Sequence, residues 1–224
     1  MSRAVGEVLS YGVLVAISLV PMIGIIVILF SSRARVNGPV FVLGWAAPLA
    51  AVSGVVYVLA DGPHATTSWT RSAAVSWIKL VLGALCFVMA IRVLRTATSR
   101  GEELMPRWFA SIDGLTAPRA FGIATFCAIV SPKNLVLTVG AGVAVAKLGV
   151  PSSDAVAALL VFVVLASFTV AVPLLYYLVA GPRAKPALKR LKDWLLAHGK
   201  GVTLVVLVAF GGALVADALS GLAT

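Results

Sequence analysis

Charge is scarce in this sequence. Only 12% of its residues are charged, where a soluble domain carries about a quarter. Histidine and cysteine are nearly missing, with two of each in 224 residues. His64 and His198 stand alone at the ends of apolar runs and read as solvated. Cys86 and Cys127 lie far apart inside such runs, with neither pairing nor metal-ligand spacing, and read as small buried side chains. No Walker lysine loop, HExxH helix or nucleophile elbow is present, and no cluster of catalytic groups is visible. An enzyme, a metal or an organic cofactor is therefore not expected, and ATP-driven pumping would need a separate subunit. A cleavable leader is not expected either: Arg3 is offset by Glu7, the first apolar stretch is too long, and no small-x-small site follows it.

What is abundant is apolar material, at 61% of residues with a mean hydropathy of +1.06. A globular core of this length needs less, so the excess must face lipid. About 20 apolar helical residues cross a hydrocarbon core of about 30 Å. Reading for such runs gives six spans, at 8–30, 38–60, 73–95, 119–147, 155–180 and 199–221. Asn37-Gly38-Pro39, Asp61-Gly62-Pro63, Gly149-Val150-Pro151 and Gly181-Pro182 supply breaks between them.

The net charge of +10 could signal nucleic acid, but the basic residues sit in short connections, which makes them a topology signal and nucleic acid an unexpected partner. Arg33 and Arg35 follow span one. Arg92, Arg95, Arg100, Arg107 and Arg119 surround the connection between spans three and four. Arg183, Lys185, Lys189, Arg190, Lys192 and Lys200 crowd the one between five and six. The other side has Arg3, Arg71 and Lys147, with Lys79 just inside span three. The positive-inside rule then places both termini outside a cell inner (plasma) membrane. Within 183–196, Ala187, Leu188, Leu191, Trp194 and Leu195 recur at helical spacing among basic residues, as in a short helix lying on an anionic leaflet.

Three spans on either side of the central connection mean that two homologous halves would run in opposite directions, the inverted-repeat plan of many transporters. The fold class is thus an all-α polytopic membrane protein of six transmembrane helices in two inverted three-helix repeats. The first repeat covers 1–95, a cytoplasmic connection 96–118, and the second repeat 119–224. Pro21 interrupts span one and Pro132 interrupts span four. A mid-span proline frees a backbone carbonyl, which lipid cannot satisfy. Breaks at matching places in two halves point to a transport site. Gly83, Gly140, Ala144, Gly211, Gly212 and Ala216 read as packing residues that let helices approach.

Lys133 is the most informative residue. A lysine at mid-span costs about 2.5–3.5 kcal/mol on insertion scales, and Glu7, Asp61, Asp154 and Asp217 all lie near span ends. Three fates are open to it: a wet cavity, coordination by freed carbonyls with Ser131 or Asn134, or an anionic substrate. The expected substrate-binding set is Lys133, Asn134, Ser131, Pro132 and Pro21, with Lys79 beside them as the weaker member.

The stretch Pro106-Arg107-Trp108, Ser111-Ile112-Asp113, Pro118, Ala120, Gly122 and Ser131-Pro132-Lys133-Asn134-Leu135 resembles the signature of the GAP family of glycolipid- and sulfolipid-addressing proteins, within the LysE exporter superfamily. The run Ile78-Lys79-Leu80-Val81-Leu82-Gly83-Ala84-Leu85 is similar to that superfamily's third span. The family has Asn-Pro-Lys where this chain has Ser131-Pro132-Lys133, so the asparagine amide is replaced by a hydroxyl. The resemblance implies a LysE-like fold and an exporter of envelope lipid or small metabolites. Combined with Lys133, it gives a secondary transporter or flippase for an anionic amphiphile of glycolipid or sulfolipid type. The alternative is a non-transporting scaffold that assists envelope-lipid biosynthesis or export, docking partners through Trp108, Asp113 and Trp194. Membrane lipids, the anionic amphiphile, a second copy of the chain and envelope-lipid biosynthetic proteins are the partners these readings imply.

Overall fold

The computed structural model describes residues 2–60, 73–95 and 115–222. These form α1 (Ser2–Ala16), α2 (Leu19–Leu29), α3 (Ala34–Ala60), α4 (Ala73–Arg95), α5 (Ala117–Val130), α6 (Pro132–Lys147) and α7 (Ser152–Ala180). A 3₁₀ turn (Gly181–Ala184) then leads into α8 (Lys185–Leu222). No strand occurs among the described residues.

Among them, α3 and the helical run Ser152–His198 are each long and apolar enough to cross a membrane. Two further spans appear if each bent pair counts as one: α1 with α2, turning by 61°, and α5 with α6, turning by 74°. The described elements are therefore all helical, as in a membrane protein, and supply two to four such spans. Segments 73–95 and 199–221, which complete the sequence count of six, lie in α4 and α8. Gly149 and Gly181 have φ of +56° and +58°, the left-handed backbone that glycine adopts without strain, and they end α6 and α7.

Two expected boundaries are corrected. Asn37-Gly38-Pro39 does not break the chain, because α3 runs through it. The carbonyl left without its helical donor by Pro39 is that of Arg35, at the solvent-facing start of the helix, where water can satisfy it. The 183–196 segment is not a separate surface helix. It opens the 38-residue α8, and its Leu188 and Leu195 are buried within the protein, leaving Trp194 exposed. The Asp61-Gly62-Pro63 break, with His64, lies outside the described residues.

The chain divides into two compact units. One comprises 1–62 and 104–195, the other 63–103 and 196–224. In the first, α1 packs along α7 and α6, and α3 packs along α5, α6 and α7. Trp45, Phe41 and Phe162 fill its centre with no exposed surface. The Trp45 Nε1–H donates to the Ala166 carbonyl at 3.3 Å, satisfying the one polar atom of that ring. α2 is apolar on every face and buried from Ile23 to Leu29, as suits a half-helix inside a bundle rather than at its rim. Outward-facing Leu59, Val164, Phe168 and Val179 are exposed, the last at 89%, which is the pattern of a surface bathed by lipid.

Helix spacing is set by glycines. A methyl group at Gly44 would lie 2.6 Å from the Phe121 carbonyl oxygen, and one at Gly142 would lie 2.7 Å from that of Ser53. Such contacts put backbone against backbone. Gly140 instead faces a side chain, the Tyr11 ring, and in the second unit Gly211 faces the Cys86 side chain and the Gly83 carbonyl. Gly212 meets open space, so its expected packing role is not seen. Pro48, inside α3, cannot donate to the Gly44 carbonyl one turn back. The Thr125 hydroxyl of α5 takes that carbonyl instead, at 2.9 Å.

Candidate functional site

The chain breaks between α1 and α2 at Ile17 and Ser18, three to four residues before Pro21. Proline is tolerated in the first helical turn, so Pro21 becomes the third residue of α2, and buried. Its missing N–H would have served the Ile17 carbonyl. Helix ends leave carbonyls without intrahelical donors, and here each has an identified partner. Val13 O still accepts from the Ile17 N–H at 3.1 Å, while the Ser18 N–H turns back to Ala16 O at 2.8 Å. Thr169 of α7 also donates to Ala16 O, at 2.6 Å. The Ser18 hydroxyl lies 2.8 Å from Val15 O.

The remaining two carbonyls belong to Lys133. Its ammonium donates to Leu14 O at 2.8 Å, to Ile17 O at 2.9 Å and to the Ser18 hydroxyl at 3.1 Å. Three acceptors match the three N–H donors of an ammonium. Lys133 is the second residue of α6, where that helix's own dipole disfavours a cation. The lysine is directed instead onto the negative C-terminal end of α1, which favours one. It is half-buried. Freed carbonyls do coordinate it, but with Ser18 in the place where Ser131 or Asn134 was expected.

Asn134, 1% exposed, places Oδ1 3.1 Å from the Ser18 hydroxyl, and Thr138 donates to its main-chain carbonyl at 2.7 Å. Asn134 therefore meets the lysine's partner, with Ser18 between them. Ser131 caps α6 through its extended backbone but makes no side-chain cap bond. Its carbonyl accepts the first helical bond, from Leu135. Pro132 holds the first helical position, where its missing N–H costs nothing.

The structure thus brings Lys133, Asn134 and the segment just before Pro21 together. Ser131 and Pro132 contribute the bend. Lys79 is carried by α4, in the second unit, and its side chain lies outside the described residues, as do Trp108 and Asp113. Trp194 is on α8 and about half exposed. Sequence reasoning missed Ser18 and Thr169. The signal for Ser18 was present: it follows the carbonyl that Pro21 frees, in an otherwise apolar run. Thr169 carries no such signal, because only the packing of α7 against α1 puts it there. A shallow crevice with room for about one water straddles the α5–α6 bend, between Pro48 and Leu49 on one side and Ile129 and Leu135 on the other. Small-molecule sites are far larger, from about 300 Å³ upward.

The arrangement amounts to two bent helix pairs whose broken ends are joined by one lysine. A family model described as Sap, sulfolipid-1-addressing protein, matches residues 8–220. No curated protein and no solved structure matches the chain. The family match spans both bends and every residue of the lysine cluster, and the chain accordingly belongs to the sulfolipid-1-addressing protein family.

Proposed function

We propose that this protein is a secondary exporter or flippase for an anionic amphiphile, an envelope lipid of sulfolipid or glycolipid type or a small anionic metabolite. In this reading it acts as a transporter and not as an enzyme. The observation that carries the reading is the lysine held at the junction of two bent spans. Bent spans of this kind line transport sites because irregular backbone at membrane depth is tolerated only beside protein or a polar path. Leu14 O, Ile17 O and the Ser18 hydroxyl, which accept from the Lys133 ammonium, are neutral groups that solvate it. A sulfate or phosphate headgroup meeting that charge exchanges water for a charge-assisted contact. The acyl chains remain in the bilayer, so a cavity the size of the whole lipid is not required. The hinges at Ser18 and Ser131 would let the two half-helices open around the headgroup. The family's printed name fits a sulfated lipid as substrate.

The same proposal includes the full architecture: six spans, two inverted halves and a LysE-like fold in the plasma membrane, with both termini outside. With no nucleotide motif in the sequence, the proton gradient is the energy source proposed for uphill movement. Single cysteines at positions 2, 66 and 190, in a chain with Cys86 and Cys127 replaced, test the orientation with an impermeant maleimide. Positions 2 and 66 should label in intact cells and 190 only after permeabilisation. Labelling of 190 alone in intact cells would invert the topology.

A scaffold is the second reading. Lys189, Arg190 and Trp194 are exposed on α8, and Arg183 in the turn before it, a surface suited to an acidic partner. Reconstitution separates the two readings. Purified protein in sealed vesicles should move a fluorescent sulfated glycolipid between leaflets and leave its zwitterionic analogue behind. Equal, protein-independent movement of both lipids would leave the scaffold reading in possession.

A further inference from the structure

The end of α1 has the chemistry of a cation site. Breaking the chain at Ser18 turns two carbonyls, Leu14 O and Ile17 O, away from helical bonding. The Ser18 hydroxyl joins them, and all three lie 2.8–3.1 Å from one nitrogen. Asn134 Oδ1 stands behind the hydroxyl at 3.1 Å, and Thr169 holds the neighbouring Ala16 carbonyl in place. Neutral carbonyl and hydroxyl oxygens, gathered at the negative end of a helix, replace the hydration shell of a monovalent cation. A divalent ion would call for carboxylates among the ligands, and this set has none. An ammonium group and a potassium ion are close in size, so the distances suit either.

We propose that these oxygens form a monovalent-cation site and that its resident cation is a tethered one, the Lys133 ammonium. In the structure the tether fills the site, so free sodium or potassium has no place there. Shortening the side chain vacates the position but leaves the oxygens, and a free small cation can then enter. This inference rests on the hydrogen-bond geometry and is independent of whether the protein exports anything.

The test uses the full chain in detergent. Thermal unfolding of Lys133→Ala is followed in ammonium, methylammonium or potassium chloride, against choline chloride at the same ionic strength. Choline is too bulky for the site. The variant's Tm should rise by about 4 °C toward saturation, following the mass-action dependence of a ligand that binds only the folded state. Wild-type protein should give the same Tm in all four salts. A variant that ignores the small cations, or that answers to choline equally, would overturn the proposal, as would a wild type that responds like the variant. If Lys133→Ala does not accumulate, Lys133→Ser, whose side chain is too short to reach the oxygens, is compared in the same four salts: a rise in Tm with the small cations alone supports the site, and no rise overturns it.

Discussion

Lys133→Met abolishes most export of an anionic lipid at matched protein levels: this is the expected result with the largest effect. Methionine keeps the length of the stem and removes the charge. Losing one member of a buried charge pair costs on the order of 3 kcal/mol, or roughly a 100-fold loss of flux. From the sequence alone, removing an uncompensated ammonium should leave folding intact or improve it. The structure changes that expectation. Leu14 O and Ile17 O accept from this ammonium, and methionine offers them nothing. An unsatisfied buried acceptor costs about 1–3 kcal/mol. One of these two bonds lies in exposed surroundings, so the combined loss should be about 2 kcal/mol. Lys133→Arg keeps the charge, yet its planar fork cannot present three donors from one point. It should recover stability better than export. The checks are lipid movement in vesicles and Tm on the same preparations. Wild-type export by the methionine variant would remove the anion-site idea, whatever the change in Tm.

Gly44→Ala is expected to give the largest loss of stability among single-methyl additions. The new methyl would sit 2.6 Å from the Phe121 carbonyl oxygen and 3.0 Å from its Cα. Those are backbone atoms of α5, so the whole helix must shift. Overpacking of this kind costs about 1–3 kcal/mol. The shift would also stretch the Thr125 bond to the Gly44 carbonyl, worth about another 1 kcal/mol. A total near 3 kcal/mol lowers Tm by roughly 9 °C for a chain of this size. Gly54→Ala, on the same helix but with nothing within 4 Å, is the control and should not lower Tm. Equal melting of the two variants would mean that α3 and α5 are not in backbone contact.

Much of this was legible in the sequence, and the misses share a cause. Pro21 and Pro132 signal the bends within 8–30 and 119–147. In the second the bend falls where the proline is. In the first it falls at Ser18, because a proline is accommodated within the first turn and its effect appears at the carbonyl four residues earlier. Its cost at mid-span singles out Lys133, but the sequence points to its neighbours Ser131 and Asn134 as partners. They are Leu14, Ile17 and Ser18, more than a hundred residues away, and spacing along the chain holds no record of such tertiary placement. The 183–196 segment failed for a related reason. A stripe formed by Leu188 and Leu195 reads the same whether it meets lipid or protein, and here it is buried in protein.

The partners of the α1 carbonyls are also spread through time. Lys133 is made 119 residues after Leu14, and Thr169 153 residues after Ala16. Before they exist, a straight helix would satisfy Leu14 O from the Ser18 N–H, whereas a bend would leave that carbonyl to hydrocarbon. The bend is thus favoured only once α6 supplies Lys133, so the shape of the first apolar segment is fixed by one of the later ones.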